Sequence, residues 1–212
     1  MWVFEFFHVI IGILWIGLLY FFNLVQVQSM PKMVEAGAAK PYTQIILPRA
    51  LFLFRHAALW TVISGIAYYM AGRGTVQGIP SGEIMIGMLL GIIMAGNVWF
   101  IIWPNQKKVI AGTPDAAAAG AKAGLASRTN TLFSLPMLYL MVYSAHGGSS
   151  GNIALMFDNS GNLDLILGLA IILVIELNAI FGKMNPAITS VKAVIHSGLA
   201  LTVIFGLLVQ YL

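Results

Sequence analysis

Apolar residues in this chain do not alternate with polar ones; they come in long runs separated by short polar connections. A hydrocarbon layer about 30 Å thick takes about 20 residues of helix to cross. Six stretches reach or approach that length: Trp2–Val25, Ala50–Ala71, Glu83–Trp103, Asn130–His146, Leu163–Gly182 and Ser190–Leu212. Runs this long predict helices that are apolar all round and therefore face lipid as well as one another. The expected fold class is all-α, a polytopic membrane bundle of about six transmembrane helices forming one domain over residues 1–212.

Composition agrees, with 59% hydrophobic and only 8% charged residues against roughly 25% charged in soluble domains. The first run reads as a retained span, because Glu5 stands where a signal peptide carries basic residues. The net charge of +4 is explained by where the basic residues fall, which removes nucleic acid as an expected partner. Lys32, Lys40, Arg49, Lys107, Lys108, Lys122, Arg128, Lys183 and Lys192 lie in alternate connections, Arg55 lies just inside the second span at the same end, and only Arg73 lies at the other. The positive-inside rule makes the first end cytoplasmic and both termini outward, as in a bacterial inner membrane protein whose first partner is the lipid bilayer. Thr113-Pro114-Asp115 reads as a helix start, so the Ala-rich run to Lys122 is expected to form a short cytoplasmic surface helix. Gly147–Asn162, rich in Gly, Ser and Asn, is expected to be an irregular outer loop.

Zero cysteines exclude disulfides, thiolate metal sites and covalently attached c-type haem. The four histidines fall in four different spans. His8 and His146 lie toward the outer side, while His56 and His196 each lie about six residues, roughly 9 Å, from the cytoplasmic end. Two imidazoles from facing helices at one level are what bis-histidine ligation of b-type haem requires. One or two haems b, with all four histidines as iron ligands, are therefore expected. Trp15 and Gly12 share the His8 face, Trp60 follows His56 by one turn, Gly198 neighbours His196, and Arg49 and Arg55 are placed to meet propionates. The competing reading is that each histidine simply hydrogen-bonds a neighbouring helix.

Glu176 and Asn97 fall at the depth of His56 and His196. A carboxylate there allows a non-haem iron site of two histidines and a carboxylate, a proton carrier, or a protonated acid bonded to a neighbouring helix. Arg128 and Asn130 join Asn105, Gln106 and Asn185 in a polar, cationic vestibule at the cytoplasmic mouth, suited to a planar anion. Glu176, Asn97, Arg128 and Asn130 are the candidate catalytic residues. Gly87, Gly91 and Ala95 form a small-residue stripe expected to serve close helix packing.

Two stretches carry a family resemblance. His8-Val9-Ile10-Ile11-Gly12 followed by Trp15-Ile16-Gly17, and Asn130-Thr131-Leu132-Phe133-Ser134-Leu135-Pro136-Met137 through Met141 to Ser144-Ala145-His146, resemble the membrane domain of bacterial urate oxidases of the PuuD type. Arg55-His56 with Trp60 and Gly65, and Pro104-Asn105-Gln106-Lys107-Lys108, are similar in kind. The resemblance implies a membrane oxidoreductase that oxidises urate or a related substrate and passes electrons toward a c-type cytochrome. That family's cytochrome c domain has no counterpart in these residues, so the acceptor is expected on a separate chain. Gly17-Leu18-Leu19-Tyr20 after His8 and Trp15 is a weaker likeness to HemJ-type protoporphyrinogen oxidases, which also bind haem. The alternatives are an accessory subunit of a larger respiratory complex, with its subunits as partners, or a transporter. The sequence is equally compatible with a homo-oligomer.

Overall fold

A computed structural model describes residues 2–71, 75–76, 79–80, 82–146 and 163–211. These are helical apart from short connections at 36–38, 71, 112–115 and 182–190 and a hairpin of two short antiparallel strands, β1 (Thr75–Val76) and β2 (Ile79–Pro80). The first rod joins α1 (Trp2–Tyr20), a π-helical segment π1 (Phe21–Gln26) and α2 (Val27–Glu35) without a break. It stops at Gly37, whose φ of +69° suits a residue without Cβ. The second rod joins α3 (Ala39–Pro41), π2 (Tyr42–Ile46) and α4 (Leu47–Met70). The third joins α5 (Gly82–Gly96), π3 (Asn97–Ile102) and α6 (Trp103–Ala111). α7 (Ala116–His146), α8 (Leu163–Phe181) and α9 (Val191–Tyr211) complete the chain.

Two of the three π segments have a cause visible in the sequence. Pro48 and Pro104 follow π2 and π3 by two residues. A proline ring has no N–H to donate and crowds the carbonyl four residues back, and widening the preceding turn relieves that crowding. Beside Pro104, the Ile101 carbonyl instead accepts from Asn105 Nδ2 at 2.7 Å.

Four helical stretches are long and apolar enough to cross a membrane: Trp2–Glu35, Ala39–Met70, Glu83–Ala111 and Val191–Leu208. Large apolar side chains such as Ile13, Ile63, Phe100 and Val203 stand exposed along them. A surface of that kind needs lipid around it, and the molecule is a membrane protein.

The separate surface helix expected after Pro114 is not there. The Ala-rich run belongs to α7, which continues for 31 residues into the apolar stretch ending at His146, because nothing between Ala116 and Asn130 breaks a helix. Gly112 caps α6 with φ +64°. In the turn that follows, Lys108 Nζ meets Asp115 Oδ2 at 2.6 Å and Thr113 Oγ1 donates to Asp115 Oδ1 at 2.7 Å. Those two contacts, Lys108 first, hold the exposed Asp115 carboxyl below its ordinary range. The loop Gly147–Asn162 and Arg73 lie outside the described residues.

α1, α4, α5 and α7 pack as a four-membered ring, α1 on α4, α4 on α5, α5 on α7 and α7 on α1, while α9 and α8 add to the α7 side. Glycines set the close approaches. A Cβ on Gly87 would sit 3.3 Å from Met141 Cγ, and one on Gly91 3.5 Å from Met137 Sδ, so the small-residue stripe seats α5 on α7. Pro136 leaves the Leu132 carbonyl without its helical donor. Gly198 of α9 fits there, where a Cβ would lie 3.3 Å from that oxygen and 2.7 Å from Leu135 Cδ1.

Candidate functional site

The interior of a membrane bundle favours apolar side chains, yet one stretch of α7 is buried and polar: Arg128, Thr129, Asn130, Thr131 and Ser134. Successive residues of a helix point about 100° apart, so this stretch addresses several neighbours at once. Thr129 and Thr131 turn their hydroxyls back to α7 itself, on the carbonyls of Leu125 and Ser127. The remaining groups meet two other helices.

Toward π3 and α8, Asn97 Nδ2 donates to Asn130 Oδ1 and to Glu176 Oε2, both at 3.0 Å. Asn130 Nδ2 in turn donates to the Met94 carbonyl at 2.9 Å. Asn97 opens π3, and the extra residue in that turn directs its amide between α7 and α8. Three of the four expected catalytic residues, Asn97, Asn130 and Glu176, thus form one hydrogen-bonded chain across three helices.

Toward α1 and π1, Asn23 Nδ2 donates to Ser127 Oγ at 2.8 Å, and Tyr20 Oη pairs with Ser134 Oγ at 3.0 Å. Here lies a cavity of about 200 Å³, at the end of the bundle that carries Lys107 and Lys108. Its polar lining is Asn23, Gln26, Gln106, Ser127, Arg128 and Thr189, and its apolar wall includes Phe22 and Phe54, packed edge to face at 5.2 Å. Tyr42 of π2 donates to Gln26 Oε1 at 2.9 Å, fixing that amide. Arg128, the fourth expected catalytic residue, is only 5% exposed. Its Nη1 is buried without a hydrogen-bond partner. A buried cation left unpaired is costly enough that such groups normally have an anion to hold.

The sequence reading did not single out Asn23, Gln26 or Ser127 for this cavity. Asn23 carried the same signal as Asn97, an amide inside an apolar run. Ser127 and Gln26 carried none, since only the packing of π1 on α7 brings them together.

The histidines are placed differently. His8 Nδ1 lies 2.9 Å from the Thr61 carbonyl and 3.3 Å from Ser64 Oγ. His56 Nδ1 lies 2.7 Å from the Phe52 carbonyl. A carbonyl only accepts, so Nδ1 is the donor in both rings, and in a neutral ring the lone pair then lies on Nε2, the atom an axial ligand uses. His8 and His56 each fit iron ligation in that respect. His56 and His196 stand on α4 and α9, on opposite sides of the ring of helices, and the structure does not bring them together. His196 is exposed. His8 faces α4, and the side chain of His146, at the end of α7, lies outside the described residues. No cluster of three or more His, Asp or Glu able to hold a metal occurs among the described residues.

Of the expected haem neighbours, Trp15 is 1% exposed in the core with its Nε1 unpaired, whereas Trp60 and Arg49 are exposed. Arg55 stacks on Trp103. Gly12 faces Thr61, and the space at Gly198 is filled by Leu135. Gly65 is the glycine that serves a histidine: a Cβ there would fall 2.8 Å from His8 Cε1. The variant G65A is therefore expected to displace the His8 imidazole and lower the thermal midpoint, by about 1–3 kcal/mol of overpacking. A midpoint within error of the wild type would place the ring elsewhere.

The family model described as urate oxidase N-terminal matches residues 56–205, well over half of the chain. The chain belongs to this family. No curated protein and no solved structure matches it. The matched region includes Asn97, Arg128, Asn130 and Glu176, and so spans the hydrogen-bonded chain and the arginine of the cavity. His8 and Asn23 precede it.

Proposed function

We propose that this chain is the substrate-binding membrane part of an oxidoreductase acting on urate or a closely related purine anion. The observation that carries the reading is Arg128, a buried guanidinium with an unpaired Nη1 in a cavity of about 200 Å³. That volume lies below the roughly 300–1,000 Å³ of drug-sized ligands, so the cavity suits one small ring system and not a macrocycle. Urate is planar and anionic at neutral pH, with adjacent ring nitrogens and carbonyl oxygens. A planar guanidinium fork pairs with such an edge better than a point charge does. Asn23, Gln26 and Gln106 offer further amides, and Phe22 and Phe54 offer apolar faces.

In this reading the chain crosses a bacterial inner membrane six times with both termini outward, and the cavity opens toward the cytoplasmic side. Oxidation of the purine releases protons as well as electrons. Glu176, bonded to Asn97 and through it linked to Asn130 of α7, is the carboxylate that would take up a proton. Haem b would supply the one-electron chemistry, and His8 and His56, whose Nδ1 is engaged by a carbonyl, are the residues that would hold iron through Nε2. A c-type cytochrome on another chain would take the electrons onward.

The test is urate titrated into the purified chain in lipid nanodiscs and followed by calorimetry, with and without a c-type cytochrome whose reduction is read optically. One saturable site in the micromolar-to-millimolar range typical of enzyme substrates is expected, with urate-dependent cytochrome reduction. Absence of binding together with absence of reduction overturns the proposal.

A further inference from the structure

A cluster outside the cavity points to a second anion. Along the seam between α4 and the third rod, the Arg55 guanidinium lies 3.8 Å from the ring centre of Trp103 and 5.1 Å from that of Phe52. Lys107 Nζ lies 5.6 Å from the same Trp103 ring. Trp99 Nε1 donates to the Arg55 carbonyl at 3.0 Å, which ties the two helices together at this level. Two cations thus share one indole, and neither has a carboxylate: Lys108 with Asp115 is the only ion pair among the described residues. Arg55 side-chain packing is fixed by two rings, so its charge is held in place instead of being free to move into water.

The level is that of a membrane interface. Trp103 and Lys107 follow the apolar run of α5 and π3 at its basic end, where tryptophans and basic residues mark the headgroup layer. Arg55 lies deeper along α4, and a helical side chain leans toward the N-terminus of its helix, which here is the same basic end. On the third rod Phe100, deeper than Trp103 and Lys107, is 81% exposed, an apolar surface suited to acyl chains.

We propose that the Arg55–Trp103–Lys107 seam binds the phosphate of an anionic phospholipid, with its chains lying along Phe100. Arg55 makes the paired contact and Lys107 adds a point charge, as basic sites between membrane helices do. The inference rests on the chain spanning a membrane and not on its acting on urate.

The test is native mass spectrometry of the full chain released from nanodiscs containing equal phosphatidylglycerol and phosphatidylcholine. The wild type is expected to retain one phosphatidylglycerol with about tenfold preference, and R55Q/K107Q to lose that preference. The exposed-site variant K107Q alone is expected to show a partial loss, which keeps the test valid if the double variant misfolds. K183Q/K192Q, which alters charges elsewhere at the basic end, is expected to retain the full preference. Equal retention of both lipids by the wild type, or an unchanged preference in K107Q and in R55Q/K107Q, overturns the proposal. So does a haem-to-protein ratio that falls in R55Q/K107Q while lipid preference stays, since the anion is then a haem propionate.

Discussion

Replacing Arg128 with glutamine is expected to weaken urate binding severely while leaving the empty protein as stable as before, or more so. The two halves of that result have one cause. In the ligand-free bundle the guanidinium is buried with Nη1 unpaired, so its removal relieves an uncompensated charge. With the anion bound, the same group supplies charge-assisted hydrogen bonds worth about 1.5–3 kcal/mol each, and two of them correspond to at least about a hundredfold in affinity. R128Q should therefore raise the urate dissociation constant by about two orders of magnitude or more. R128K, which keeps charge but loses the fork, should fall between. Thermal unfolding in detergent provides the control: urate should raise the wild-type midpoint and leave that of R128Q unmoved. A marked drop in the midpoint of unliganded R128Q would mean that Arg128 holds the fold together and is not there for a ligand.

This trade of stability for binding is common where a site is built before its ligand arrives. It also shows which parts of the molecule the sequence made readable. A polar group inside an apolar run is conspicuous, as Asn97 and Glu176 are, and Arg128 and Asn130 stand out in the polar, cationic rim at the cytoplasmic mouth. Their grouping was not readable. Arg128 and Asn130 are two residues apart on α7, and helical geometry turns them to different neighbours, one to the cavity beside π1 and the other to Asn97.

Depth can be counted along a span, but which spans become neighbours in the bundle cannot. His56 and His196 were matched by depth, and they stand on helices that lie on opposite sides of the ring. The helical character and the membrane setting followed from the length of the apolar runs. The joining of the Ala-rich run to the fourth span did not, because a capping sequence at Thr113-Pro114-Asp115 says where a helix starts and not where it ends. Pro48 and Pro104 did carry the information for π2 and π3, as carbonyls four residues back that a proline cannot leave undisturbed.

Asn97→Ala is expected to be the most destabilising single change in the polar seam. It removes the amide that donates to both Asn130 Oδ1 and Glu176 Oε2, and leaves two acceptors facing each other across helices with nothing between them. Hydrogen bonds between membrane helices average about 0.6 kcal/mol, rising to about 1.7 kcal/mol. Buried acceptors stranded by the loss of a partner cost about 1–3 kcal/mol, so a loss toward the upper end of that range is expected. Glu176→Gln should behave otherwise. Its amide oxygen can still accept from Asn97, so the bundle keeps its midpoint within about 0.5 kcal/mol, the usual range for a change that preserves local contacts. What E176Q loses is a carboxylate able to take a proton, so turnover should fall while urate affinity stays, because Glu176 does not line the cavity. Thermal midpoints and urate-driven cytochrome reduction, measured on both variants, separate the two roles. Equal destabilisation by N97A and E176Q, with turnover falling only in proportion to folded protein, would reduce Glu176 to a rivet between α8 and π3.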